Sequence, residues 1–240
     1  MPSVLITGAS SGIGARLAQD YAADGWRVTA CGRNAAHLAH LQQFGDVQPC
    51  IFDVTELVQC QQALRAVAAP DLVILNAGTC EYIDCECWNS DDFNLVINSN
   101  ISSINHCLSE LLPILKEGAV IAIVDSLARL LPFTRSHAYG ASKAAVHFLA
   151  KTLAVDLASR QIRVVSISPG FVRTPLTQRN DFAMPGLIEV DDASERIRAG
   201  IAAGKRSVAF PKRLYWPLKV LSWLPDGWQI ACCQRMIKIQ

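Results

Sequence analysis

Val4-Leu5-Ile6 runs without a break into Thr7-Gly8-Ala9-Ser10-Ser11-Gly12-Ile13-Gly14, and a helical pattern from Ala15 to Ala23 follows, closed by Asp24-Gly25. An apolar strand, a glycine turn and a helix in that order leave few folds open. Gly8 permits a tight turn, Gly12 lets the backbone approach a pyrophosphate, and Gly14 lets helix and strand pack closely. The free N–H groups and positive end of the helix then face the phosphates. Glycines also mark plain turns, but this motif opens the first strand–helix unit with both flanks in place.

The alternation continues along the chain. Arg27 to Cys31 reads as a second strand, Val47 to Phe52 as a third, Asp71 to Leu75 as a fourth, with a helix from Thr55 to about Val67. Phe93 to Leu115 reads as one long helix carrying Asn98 and Asn100. Asparagine is a poor interior helix residue, so its place there asks for a reason. Ala119 to Val124 and Ile162 to Ile167 are unbroken apolar strands, separated by a helix from about Tyr139 to Ser159. Continuous Val/Ile strands alternating with helices predict an α/β protein with a parallel sheet covered on both faces.

The strand ends carry the chemistry. Where folds that prefer NAD place an acidic residue after the second strand, this chain has Gly32 followed by Arg33. A planar guanidinium suits a ribose 2′-phosphate, so the reading is NADP(H) ahead of NAD(H). The alternative is an Arg33 that stacks over adenine or sits in solvent. Asp53 could accept from an adenine amino group or cap the helix that follows. Asn76-Ala77-Gly78 provides a small strand end on which a cofactor can lie, with Asn76 read as a tie between strands.

Tyr139 and Lys143 are four apart on a helix and share a face. A cation beside a phenol favours the phenolate, which yields a tyrosine able to exchange protons near neutral pH. Tyr-x-x-x-Lys alone recurs by chance, as Ser126 can be a cap and Asn100 a packing residue.

Together these residues have a precedent. Thr7 to Gly14, Asp53-Val54, Asn76-Ala77-Gly78, Asn100, Ser126, Tyr139-x-x-x-Lys143 and Pro169-Gly170-x-x-x-Thr174 resemble the classical short-chain dehydrogenase/reductase family, in its order and at its spacings, from Pro2 to about Phe210. The resemblance implies a single Rossmann-type domain over residues 1–240, its sheet of seven strands doubly wound in the order 3-2-1-4-5-6-7 with Ser207 to Phe210 last. It implies Tyr139 as proton donor or acceptor, Ser126 as hydrogen-bond donor to the substrate oxygen, and Lys143 as ribose contact that lowers the Tyr139 pKa. Asn100 would hold a water in the proton relay. Cofactor contacts are implied for Gly8, Ser10, Ser11, Gly12, Ile13, Gly14, Arg33, Asp53, Val54, Asn76, Ala77, Gly78, Tyr139, Lys143, Pro169, Gly170, Val172 and Thr174. The activity implied is interconversion of a ketone or aldehyde with an alcohol by a homodimer or homotetramer. A non-catalytic NADP(H)-sensing protein on the same fold is the alternative; such proteins usually lose the tyrosine or the lysine, and both are present.

Two departures from the family pattern bear on the site. Asp125 precedes Ser126, where it could disfavour an anionic substrate or be tied up structurally, and Leu75 stands where a polar residue is common. Residues 174–192 form the expected substrate loop, with Phe182, Met184 and Leu187 as an apolar wall. Arg135, Arg173 and Arg179 could meet an anionic group, though solvation is the commoner fate of arginine. The tail, residues 211–240, mixes Trp216, Trp223 and Trp228 with lysines and arginines. Packing on the body or a subunit ranks first for it, an apolar mouth for a lipid-like substrate second and membrane contact third.

Composition closes other routes. A net charge of +1 gives no footprint for nucleic acid. Nine scattered cysteines read as reduced thiols, and Cys80, Cys85 and Cys87 lack the partners for a metal site. The strand-like start leaves no room for a leader, so a cytoplasmic location is expected.

Overall fold

The computed structural model describes residues 1–237; the tail residues 238–240 lie outside the described residues. The strands are β1 (Ser3–Thr7), β2 (Arg27–Gly32), β3 (Val47–Ile51), β4 (Leu72–Leu75), β5 (Val120–Val124), β6 (Arg163–Pro169) and β7 (Ser207–Phe210). They form one sheet of seven strands in the order β3-β2-β1-β4-β5-β6-β7, every pair parallel. The expected order is observed.

Because successive strand residues point to opposite faces, each strand needs apolar side chains at every position when both faces are covered. Val4 and Ile6 meet α1 (Gly12–Ala23), α2 (Ala35–His40) and α7 (Val190–Ala202) on one face. Leu5 faces the opposite layer, α3 (Leu57–Leu64), α5 (Ser103–Leu111) and α6 (His137–Asp156). Each such side chain, buried to 0–1% exposure, contributes roughly 1.5–3 kcal/mol relative to solvent.

The long helix expected over Phe93 to Leu115 is divided. α4 (Ser90–Ile97) passes into α5 through a π-helical turn, Asn98–Ser102, in which Ser103 N–H bonds to Asn98 O five residues back. The extra residue turns Asn100 inward, where it is 0% exposed. Its side chain then meets the Thr79 backbone twice, accepting at 2.8 Å and donating at 3.0 Å, and donates to Ser142 Oγ at 2.9 Å.

After β7 the tail forms α8 (Lys212–Leu221) and α9 (Asp226–Ile237). Their inner residues Leu218 and Cys233 are buried with Leu127, Leu130 and Leu131, so the tail packs on the body, as ranked first. Among the described residues, no helix is long and apolar enough to cross a membrane.

Candidate active site

Parallel strands bring all their carboxyl ends to one edge, and the β1, β2, β4, β5 and β6 ends there surround a cavity of about 310 Å³. Gly8, Ser10, Ser11, Gly12 and Ile13 form one wall; Arg33, Asp53, Val54, Asn76, Ala77 and Gly78 continue it. Ser126, Tyr139, Lys143, Pro169, Gly170, Val172 and Thr174 complete it. Asn100 lies behind this wall, beneath Gly78.

The glycine turn leaves space that side chains would fill. Gly8 has φ 68°, and a Cβ on Gly14 would come within 2.3 Å of Gly8 O and 2.5 Å of Asn76 Nδ2. Asn76 holds the turn by donating to Thr7 O at 3.0 Å, while Thr7 Oγ1 accepts from Asn76 N and Ala77 N at 3.0 and 3.1 Å. Asn76 is thus a tie between β1 and β4, as read. Ser11 precedes α1 and makes no side-chain cap, so the first-turn N–H groups stay available to an anion. These features fit a dinucleotide diphosphate.

Arg33 is 78% exposed and lies 3.3 Å from the Asp53 carboxylate. Asp53 also accepts from Thr55 N and Oγ1 at 2.9 and 2.7 Å. Burial opposes its ionised form, and the bonds from Thr55 with the nearby Arg33 outweigh that, so its pKa falls. Asp53 therefore caps the turn that follows it.

Ser126 closes β5 and accepts from Ala128 N at 3.1 Å. Its hydroxyl lies beside the Tyr139 phenol and favours the ionised form. The balance is nevertheless the reverse of the expectation. Desolvation first, then Cys80 and the Asp125 carboxylate, push the Tyr139 pKa well above 10.0. Lys143 does not offset this, because its Nζ is 5.8 Å from the Tyr139 ring centre and donates to Val124 O at 3.0 Å. Lys143 is 5% exposed, and desolvation lowers its own pKa from 10.5 to about 8, against the raising effect of Asp125. The Asn100 side-chain amide is taken up by Thr79 and Ser142.

Asp125 is tied up structurally. Its carboxylate accepts from Ser166 Oγ at 2.6 Å, meets His147 Nδ1 at 2.9 Å, and lies 3.4 Å from Arg129 Nε. The three mouth arginines are likewise paired, Arg135 with Asp181, Arg173 with Glu189 and Arg179 with Glu81.

Two groups near the phenol escaped sequence reasoning. Cys80 acts electrostatically on both Tyr139 and Lys143, and burial raises its own pKa to about 11. Tyr82 donates to Asn180 Oδ1 at 3.0 Å and meets Phe182 edge-on at 5.5 Å, fastening the 174–192 loop over the site. Their nearness to Asn76-Ala77-Gly78 in the chain was the available signal. Among the described residues, no group of three or more His, Cys, Asp or Glu is placed to hold a metal.

Comparison with known proteins agrees with this geometry. The family model described as short chain dehydrogenase matches residues 2–183. A Myxococcus xanthus protein named "Uncharacterized oxidoreductase" is 35% identical, over 98% of this chain and 97% of that protein. The rhamnolipids biosynthesis 3-oxoacyl-acyl-carrier-protein reductase of Pseudomonas aeruginosa is 31% identical, over 79% of this chain and 80% of its own. Among solved structures, a short-chain dehydrogenase from Sphingobium yanoikuyae in complex with NADPH superposes with TM-score 0.82 at 24% identity, over 95% of this chain and 94% of that one.

Proposed function

The chain belongs to the short-chain dehydrogenase family, and from that premise we propose an NADP(H)-dependent oxidoreductase that interconverts a ketone or aldehyde with an alcohol. The observation that carries this reading is the meeting of Ser126, Tyr139 and Lys143 in one cavity with the Gly8–Gly14 turn. The NADPH of the Sphingobium structure and the reductase name of the Pseudomonas relative support cofactor and reaction.

The Gly8–Gly14 turn and the start of α1 would hold the diphosphate, Arg33 the 2′-phosphate, and Asp53 and Val54 the adenine. Pro169, Gly170, Val172 and Thr174 border the nicotinamide end. The cofactor, when bound, supplies or accepts the hydride. Ser126 donates a hydrogen bond to the substrate oxygen as charge develops there. Tyr139, with its raised pKa, stays protonated at neutral pH and gives its proton to that oxygen in the reducing direction. Lys143 would contact the ribose. Asn100 is a positioning residue that fixes Thr79 and Ser142 around the site. A homodimer or homotetramer fits the exposed Leu95, Phe148 and Val155 on α4 and α6.

The test is NADPH oxidation against a panel of carbonyl compounds, with Tyr139→Phe beside the parent. Turnover is expected to fall by about a hundredfold or more with NADPH binding retained. Equal turnover in the variant overturns the assignment.

A further inference from the structure

Charge is divided unevenly along this chain. Five of its 22 lysines and arginines but one of its 21 acidic residues lie in 211–240, leaving the tail at +4 and the remainder at −3. Elsewhere arginines are commonly paired; among the described residues, Lys212, Arg213, Lys219 and Arg235 have no carboxylate partner. The same helices expose Trp216, Val220, Trp223, Trp228, Ile230 and Met236.

The exposed apolar groups are ordered. Trp216, Val220 and Trp223 follow one another at helical spacing on the outer side of α8 and its last turn, with Trp216 54% and Trp223 66% exposed. The inner stripe, Leu214, Leu218 and Leu221, packs against the body, so the outward face is held by a rigid support. Lys219 Nζ lies 5.6 Å from the Trp223 ring centre, which sets a cation at the edge of the indole surface.

We propose that the outer face of α8 and α9 docks on an anionic lipid surface, with the tryptophans in the interfacial layer and the four cations among the headgroups. Indole rings favour the boundary between hydrocarbon and water, and basic residues beside them add attraction to anionic lipid. A second copy is the poorer occupant, since a two-fold contact through this face would bring like charges together. Leu214 of α8 lies within 3.0 Å of where a Cβ on Gly170 would sit, so docking places the cavity beside the bilayer. The inference stands apart from the proposed catalytic roles.

The full chain is mixed with phosphatidylcholine vesicles, with or without phosphatidylglycerol, and sedimented at low and high salt. Binding is expected only with phosphatidylglycerol and is weakened by salt. Quenching of tryptophan emission by brominated lipid is expected to accompany it. Replacing Lys212, Arg213, Lys219 and Arg235 by Gln, or Trp216, Trp223 and Trp228 by Ala, should each lower partitioning by about tenfold or more. Circular dichroism melts check that both variants fold, and the cation variant changes surface groups alone. Protein that stays in the supernatant with phosphatidylglycerol at low salt overturns the proposal. So does unchanged partitioning of either folded variant, or a protein whose tail tryptophans are covered by a second copy and become exposed on dilution.

Discussion

His147 Nδ1 sits 2.9 Å from the Asp125 carboxylate, one helical turn beyond Lys143 and on the residue that precedes Ser126. Ser166 reaches the same oxygen at 2.6 Å from the neighbouring strand, and Arg129, 10% exposed, approaches the other. β5, β6 and α6 are thereby fastened at the point from which Ser126 projects. Removing the carboxylate charge leaves a nearly buried guanidinium without its counter-ion. Asp125→Asn is expected to lower stability by roughly 3 kcal/mol, read from urea unfolding. A loss under about 1 kcal/mol means the network is better hydrated than the burial implies.

Lys143 gives stability a particular pH dependence. Its folded pKa of about 8 lies below its ordinary 10.5. Between these values the unfolded chain binds more protons than the folded one, so unfolding free energy rises with pH. Below about pH 8 both states are charged and the burial penalty is carried in full. In Lys143→Met this rise is absent. The difference in stability between parent and variant should therefore change by roughly 3 kcal/mol across the window, in the parent's favour as pH climbs. A flat difference would show an ammonium that keeps its proton.

Much of this was legible because it is local. Strand–turn–helix grammar around Gly8 to Gly14 fixes the phosphate loop, and a spacing of four puts Tyr139 and Lys143 on one face. Seven apolar strands between helices leave little choice but a covered parallel sheet. What the sequence hid are choices among distant partners. Asn98 and Asn100 mark residues 93–115 as an unusual helix, but the partner that takes up Asn100, Thr79, lies about twenty residues upstream. Lys143 Nζ stays 5.8 Å from the Tyr139 ring centre and donates to Val124 O, a group every residue possesses. Asp125 read as a possible hazard to substrate because Ser166 and His147 are 41 and 22 residues away.

Arg33 is placed to distinguish the two nicotinamide dinucleotides. Its guanidinium is 78% exposed and, among the described residues, pairs with Asp53 at 3.3 Å, so a 2′-phosphate can recruit it cheaply. Charge-assisted hydrogen bonds of this kind contribute about 1.5–3 kcal/mol. Arg33→Ala should weaken NADPH binding by about tenfold or more and leave NADH nearly unchanged. Fluorescence titration with both cofactors reads the ratio. Equal losses for the two would move the preference to another residue.

Tyr82 carries the closure of the substrate loop. Its hydroxyl donates to Asn180 Oδ1 at 3.0 Å, its ring meets Phe182 at 5.5 Å, and the neighbouring Glu81 pairs with Arg179. Tyr82→Phe keeps the ring contact and deletes one hydrogen bond, leaving Asn180 without its donor. A bond of this type contributes about 1 kcal/mol, a factor of about five in the closed population. KM for the carbonyl substrate should rise by about that factor while NADPH affinity holds. Cleavage within 176–189 by added protease should speed up in parallel, because an open loop presents its backbone. If KM and cleavage are both unchanged, the loop is held by the Glu81–Arg179 pair and the Phe182 contacts alone, and the hydroxyl of Tyr82 has no part in closing it.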